Sequence, residues 1–214
     1  MLVLCCIAAW AQPRLKRPEF YLGIHGGVSA GTVFFKPSVE GMTPITNAAV
    51  LGGNGGLVFR YAGHKYCHFQ AELNYLHRGW ATYTETAGHN YNNLHYVEIP
   101  ILMHLNFGSE ICKWFLNLGP QIGYCVKDET KTIDHRFDWG LAGGTGFYIQ
   151  TKKAGLYQLE IRADFSFGGI YGTTVIDKYS LASPFDLSVN LGWMIPVQPK
   201  IVDNKNLKKY ENQL

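Results

Sequence analysis

The chain has few charged residues and no long apolar run. Asp, Glu, Lys and Arg make up 16% of its 214 residues, against about 25% in an average soluble domain. No stretch of about 18 consecutive apolar residues occurs, so the sequence offers no transmembrane helix. The formal net charge of +3 is too small to indicate a nucleic-acid partner. The sequence also has no phosphate-binding glycine motif and no cysteine spacing typical of a metal site.

Aromatic residues and glycines are abundant instead. Aromatics make up 14% of the chain, glycine occurs 24 times, and the mean hydropathy is close to zero. This composition suits strands that carry one apolar and one polar face, as in a membrane β-barrel. The length fits a single domain.

The first eleven residues indicate export. Residues 1–11 are apolar, and Ala9 and Ala11 give the small-x-small pattern of a cleavage site before Gln12. No Lys or Arg precedes the run, so the signal peptide is expected to be shortened at its start. A buried first strand or helix is the alternative. Residues 12–19 are then predicted to form a periplasmic segment.

Period-two alternation marks eight strands, because successive side chains of a strand point to opposite faces. In residues 156–168, for example, Leu159, Ile161 and Phe165 alternate with Glu160 and Arg162. Each strand is long enough to cross a bilayer when tilted, for which about 9–11 residues are needed. The predicted strands are residues 20–29, 49–61, 66–77, 94–107, 113–126, 137–150, 156–168 and 185–195.

The polar face is predicted to point inward. Eight strands enclose a space only just wide enough for side chains, and glycines with a few charges fill it better than eight sets of bulky apolar groups. The bulky, uncharged face then meets lipid. We therefore predict an all-β fold, an eight-stranded antiparallel up-and-down transmembrane barrel of the outer-membrane type over residues 20–196. A soluble barrel with its apolar face inside is the architectural alternative.

The connections alternate in length, as in outer-membrane barrels with short periplasmic turns and longer external loops. Long or intermediate connections are predicted at 30–48, 78–93, 127–136 and 169–184, and short ones at 62–65, 108–112 and 151–155. Aromatic residues near the strand ends are predicted to form two interfacial girdles. These are Tyr61, Tyr66, Trp114, Tyr157 and Trp193 on the periplasmic side, and Tyr75, Trp80, Tyr124, Trp139 and Phe185 on the outer side.

Three short stretches carry a family resemblance: residues 96–100 (YVEIP), 117–124 (NLGPQIGY) and 159–168 (LEIRADFSFG). They resemble the outer-membrane β-barrel domain common in Bacteroidetes, of the porin-like or PorT-like kind. The resemblance implies an outer-membrane location but no defined activity. The alternation of loop lengths predicts that both termini are periplasmic. Such chains often end with the last strand, whereas this one continues into a polar tail, residues 197–214, predicted to be periplasmic.

Charged residues on the inward face are predicted to form one interior cluster. Simple meander pairing brings Glu72 near Glu98, and sets Gly144 beside Arg162 and Gly146 beside Glu160. The predicted cluster consists of Arg60, Glu72, Glu98, Glu160, Arg162 and Asp164, with Arg60 and Asp164 at its edges. The cluster is interpreted as a salt-bridged plug. Each unpaired charge buried in a narrow lumen would cost several kcal/mol of folding free energy. A proton path, ion path or gate is the alternative.

Two classes of function stay open. The first is a non-enzymatic barrel that acts structurally or through its outer loops at 30–48 and 78–93, where Phe34 and Met42 offer contacts to a protein partner. The second is a narrow pore, or a transport or secretion component. No cofactor is predicted, and outer-membrane lipid and the barrel-assembly machinery are the expected general partners.

An enzyme acting on lipid or peptide is the least favoured alternative, and no catalytic residue or metal ligand is assigned. Its candidate residues are His77, His89 and His95, with Glu85 and Asn90 nearby. Their spacing matches no known signature.

Overall fold

The computed structural model describes residues 14–37, 47–84, 88–108, 112–129, 133, 135–151, 154–168 and 179–197. The predicted signal peptide, residues 1–11, and the tail from residue 198 onward lie outside these residues. No helix long and apolar enough to cross a membrane occurs among the described residues.

Eight antiparallel strands pair in chain order, and β1 pairs with β8 to close a barrel. The predicted eight-stranded antiparallel architecture is therefore confirmed. The strands are β1 (Arg14–Pro37), β2 (Asn47–His64), β3 (Cys67–Thr84), β4 (Gly88–Gly108), β5 (Cys112–Asp128), β6 (Phe137–Thr151), β7 (Gly155–Ser166) and β8 (Tyr179–Val197).

Alternation of the side chains determines which face of each strand is buried. In β5, Trp114, Leu116, Leu118 and their alternate neighbours are exposed on the outside, while Phe115 and Asn117 are buried inside. The exposed outer side chains are mainly Leu, Ile, Val, Phe, Tyr and Trp, and most buried polar side chains lie on the other face. This is the arrangement of a barrel that shows its apolar face to lipid.

β1 begins at Arg14, so residues 14–19 of the predicted N-terminal segment belong to this strand. Several strands are also longer than predicted at the other end of the barrel. We call this the loop end, where β1 passes to β2, β3 to β4, β5 to β6 and β7 to β8; the opposite end is the short-turn end. β1 continues to Pro37, β3 continues to Thr84, and β4 begins at Gly88. The predicted outer loops at 30–48 and 78–93 are therefore strand over much of their length. Period-two patterning weakens beyond the bilayer, which is why the alternation did not reveal these extensions.

Candidate functional site

Arg162 is the centre of one ion cluster inside the barrel. Its Nη1 and Nη2 lie 2.6 and 2.7 Å from the two carboxylate oxygens of Glu72 on β3. Its Nε lies 2.9 Å from Glu160 Oε1 on the same strand. Asn74 and Asn117 donate further hydrogen bonds of 2.8 Å to Glu72 and Glu160. The bidentate pair and its satisfied acceptors make this a rigid link across the lumen between β3 and β7.

Two glutamines connect this cluster to Arg60. Arg60 donates through Nε to Gln70 Oε1 at 2.7 Å and through Nη2 to Gln158 Oε1. Gln70 in turn donates to Glu72, and Gln158 donates to Glu160 at 2.8 Å. Each glutamine uses its carbonyl for the guanidinium and its amide for a carboxylate. The network thus extends toward the short-turn end without placing a carboxylate against Arg60.

Arg78 is the centre of a second ion cluster, nearer the loop end. Its guanidinium lies 2.8 Å from Glu98 Oε1, 3.2 Å from Asp138 Oδ2 and 2.6 Å from Asp186 Oδ2. These carboxylates belong to β4, β6 and β8, so one arginine ties four strands together. The guanidinium also lies 4.7 Å from the centre of the Tyr96 ring, within the range of a cation–π contact.

Between the two clusters lies a cavity with only about 20 Å³ of space for water. About 10–15 Å³ of such space holds one water molecule, so the cavity admits little more than that. His25, Asp164 and Ser188 line it together with members of both clusters. Asp164 lies opposite Asp186 in the β7–β8 register. The polar interior is therefore filled by side chains over its middle section.

Two groups of apolar side chains, here called the apolar layers, pack inside the barrel toward its two ends. Toward the loop end, Trp80, Leu94 and Tyr96 pack with Val33, Leu76 and Cys125. Toward the short-turn end, Phe115, Tyr148 and Met194 pack with Tyr21, Val58, Ala62 and Leu156. A continuous column of water would have to pass both apolar layers and both ion clusters.

The structure divides the predicted interior cluster. Glu72, Glu160 and Arg162 are in direct contact, and Arg60 joins them through glutamines. Glu98 instead pairs with Arg78, because β3 and β4 set Asn74, rather than Glu72, opposite Glu98. The expected proximity of Glu72 and Glu98 as a carboxylate pair is replaced by two separate arginine contacts.

Three charged interior residues were left out of the predicted cluster: Arg78, Asp138 and Asp186. The alternation had already set Asp138 on the inward face of its strand. Arg78 was assigned to an outer loop because the predicted third strand ended at His77. The position of Arg78 in the alternation indicated that it faces inward. Glu72, Asn74 and Arg78 all occupy even-numbered positions of β3, and all three are buried. Asp186 shares its parity with Ser188 in the same way. Extending the third strand by one residue would have placed Arg78 inside, and Asp186 already lay within the predicted strand 185–195.

Glycines leave room for the ion clusters. Gly144 lies opposite Arg162 and Gly146 lies opposite Glu160, at the predicted pairings. A Cβ atom added at Gly144 would lie 2.8 Å from both Glu160 Oε1 and Asn117 Oδ1. The space that a side chain would need there is thus occupied by the Arg162 cluster.

The structure places nine of the ten predicted girdle residues on the outer wall, at least partly exposed. Toward the short-turn end, Tyr157 pairs with Trp193 across β7 and β8. The ring centres of Trp114 and Phe107 lie 5.6 Å apart. Toward the loop end, Tyr124 pairs with Phe137. The wall residues are Tyr61, Tyr66, Trp114, Tyr157 and Trp193 in the first band, and Tyr75, Tyr124, Trp139 and Phe185 in the second.

Trp80 is a correction to the predicted girdle. Its side chain is only 1% exposed and packs inside the barrel with Leu94 and Tyr96. β3 continues past residue 77, and Trp80 therefore shares the inward parity of Arg78. An aromatic residue near a predicted strand end was assigned to the interface when it in fact closes the lumen.

Two of the predicted rim histidines meet on the outside of the barrel. His77 and His95 lie opposite each other on β3 and β4, with ring centres 4.9 Å apart. His95 Nδ1 lies 2.9 Å from the Tyr75 hydroxyl, and its Nε2 lies 3.5 Å from Glu129. Hydrogen bonds from Lys127 and Asn93 lower the pKa of the Glu129 carboxyl. Glu85 lies outside the described residues, as do the side chains of His89 and Asn90.

The comparisons with known proteins agree with this architecture. Residues 10–172 match the model of a family described as "Outer membrane protein beta-barrel domain". The outer membrane protein OprG from Pseudomonas aeruginosa is similar in fold, with 11% identity, a TM-score of 0.53, and coverage of 83% of this chain and 96% of that one. The outer membrane protein AlkL is also similar, with 11% identity, a TM-score of 0.53, and coverage of 86% and 93%. No curated protein matches the sequence.

At such identities, the two structures show the fold alone, and the family is shown by the match over most of the chain. The family, the lipid-facing apolar wall and the closed polar interior agree with one another. This chain belongs to the outer-membrane protein β-barrel domain family and is a small eight-stranded outer-membrane barrel.

Proposed function

We propose that this protein is a closed, non-enzymatic barrel that does not conduct ions and acts structurally or through its loop end. The observation that carries the proposal is the filled lumen. Two ion clusters and two groups of packed apolar side chains occupy the interior, with about 20 Å³ of space for water between the ion clusters. Opening a path would require breaking buried arginine–carboxylate contacts, at a cost of about 3–5 kcal/mol for each pair that loses one partner.

The loop end is the side on which we place the interaction with a partner. β4 carries the exposed Tyr91 six positions beyond Val97, which pairs with the girdle residue Tyr75. At about 3.3 Å per strand residue, that separation is roughly 20 Å along the strand. Phe34 is also exposed and contacts Phe185, with ring centres 5.8 Å apart. Phe34 thus lies beside the girdle, and Tyr91 lies beyond it. An exposed aromatic beyond the girdle supports contact with another protein, since such residues are enriched in interfaces.

We place the loop end outside the cell and both termini in the periplasm, the topology of outer-membrane barrels with short periplasmic turns. The three stretches at 96–100, 117–124 and 159–168 support a place in the PorT-like branch found in Bacteroidetes. Outer-membrane lipid and the barrel-assembly machinery are then its general partners.

Conductance measurements test this proposal. The protein refolded into detergent should show heat-modifiable gel mobility, and insertion into a planar bilayer should give no steady current. Glu72→Gln leaves the volume of the cluster unchanged and is the informative variant. Steady conductance that changes in Glu72→Gln would refute the closed barrel and make the Arg162 cluster part of a pore, which is the second candidate function.

A further inference from the structure

A second cavity opens at the short-turn end, where Tyr21, Ala62, Tyr148 and Leu156 form part of its lining. It offers about 130 Å³ of space for water, whereas one water needs about 10–15 Å³ of such space. Arg60, Lys65 and Lys113 line it, together with His68 and the single carboxylate of Glu19. We call this cavity the basic pocket. It has room for a small ligand, and cations outnumber carboxylates among its described lining residues.

Arg60 is the buried end of the basic pocket, and its pairing differs from that of the other two interior arginines. Arg78 and Arg162 contact carboxylates directly, whereas the bonding partners of Arg60 are the neutral carbonyls of Gln70 and Gln158. Its Nη1 is fully buried and has no hydrogen-bond partner among the described residues. An unsatisfied buried donor costs about 1–3 kcal/mol, and more when it is charged. An anion in the pocket would offset part of the cost of burying this guanidinium without a carboxylate in contact.

Lys113 brings a second cation close to Arg60 in the basic pocket. Lys113 Nζ lies 5.8 Å from the centre of the Tyr148 ring, and the Arg60 guanidinium carbon lies 5.5 Å from it. The Glu19 carboxylate, which could otherwise neutralise them, is exposed and accepts a hydrogen bond from Tyr21. Neither cation has a carboxylate within 4 Å in the described part of the chain. Arg60 is balanced only at a distance, through the glutamines that join it to Glu72 and Glu160.

We propose that the basic pocket binds a small phosphate group, with Arg60 as the cation at its buried end and Lys113 as the second cation. A guanidinium is suited to phosphate because its planar donors match the oxygen geometry, and an ammonium adds a mobile point charge. The phosphate has two chemical sources, free phosphate from solution and the headgroup of a membrane lipid. The pocket lies inside the barrel mouth rather than on the apolar wall, which favours free phosphate.

Calorimetric titration of the folded protein in zwitterionic micelles tests this site. Inorganic phosphate is titrated at constant ionic strength, with chloride as the balancing salt, and dihexanoyl phosphatidic acid is titrated separately. Lys113→Gln removes one cation at the edge of the pocket and should weaken binding by roughly tenfold, the effect of losing about 1.4 kcal/mol. Lys113→Arg keeps the charge, and its affinity for phosphate should lie within about a few-fold of that of the parent protein.

The matched control is Lys127→Gln, which removes an exposed lysine near the loop end and should leave binding unchanged. Saturable phosphate binding with this pattern of variants supports the site and a soluble ligand. Binding of dihexanoyl phosphatidic acid alone, with the same pattern, supports the site and a lipid headgroup. The proposal is overturned if neither probe binds, or if Lys113→Gln binds as tightly as Lys127→Gln. Heat-modifiable mobility of each variant verifies that it is folded.

Discussion

Removal of the Arg162 guanidinium is the sharpest perturbation of the barrel interior. Arg162→Met keeps a long apolar stem but leaves Glu72 and Glu160 in the lumen without a cation in direct contact. Breaking a buried pair by removing one partner costs about 3–5 kcal/mol. The effect should fall at the upper end of that range, because two carboxylates lose the same partner.

Neutralising the carboxylates should restore most of the loss. In a triple variant with Arg162→Met, Glu72→Gln and Glu160→Gln, the two carboxylates that lost Arg162 are neutral as well. Replacing a whole buried ion cluster by neutral groups is often nearly neutral for stability. The triple variant should therefore be more stable than Arg162→Met alone, although it carries more substitutions.

Urea-induced unfolding from phosphatidylcholine vesicles, followed by tryptophan fluorescence and gel mobility, measures these differences. The control is Arg136→Met, because Arg136 is exposed and its loss should change the free energy of unfolding by no more than about 0.5 kcal/mol. An Arg162→Met variant that is as stable as Arg136→Met would refute the structural role of the cluster. A triple variant less stable than Arg162→Met would refute the electrostatic explanation.

Two further predictions concern the faces of the wall. In single-tryptophan variants, lipids with brominated chains should quench Trp139 strongly and Trp80 weakly, since the first faces outward and the second is buried inside; equal quenching would contradict this placement. Gly119→Ala should lower the free energy of unfolding by about 1–3 kcal/mol, because its Cβ would lie 1.9 Å from the carbonyl oxygen of Ile101. Gly53→Ala is its control, with the nearest atom 3.8 Å from the added Cβ, and a loss as large as that of Gly119→Ala would argue against the clash.

The strands could be read from the sequence because a barrel wall separates two solvents. Each wall residue meets either lipid or the packed lumen, so the chemical contrast between neighbours is strong and alternates with period two. Leu159, Glu160, Ile161 and Arg162 show this in one segment. Where β3 leaves the bilayer, its outer face no longer meets lipid, and the chemical contrast between its two faces weakens. The third strand was therefore predicted to end too early, at His77.

The early end of the predicted third strand explains why two interior residues were assigned to the outside. Arg78 and Trp80 lie just beyond it, and both were assigned to the outside, one to a loop and one to a girdle. Parity alone would have turned both inward. Parity does not give the height of a residue along the axis, however, and height decides which charges meet.

The sequence by itself thus determined the number of strands, the face of each that meets lipid, and the presence of charges inside the barrel, because these follow from local alternation. Only the tertiary structure decided which charges pair. The register of neighbouring strands and the closure of β1 on β8 set Glu72 against Arg162, but Glu98, Asp138 and Asp186 against Arg78. The same packing left Arg60 with glutamines rather than a carboxylate. Such pairings join distant strands across the lumen, and no local pattern in the chain encodes them.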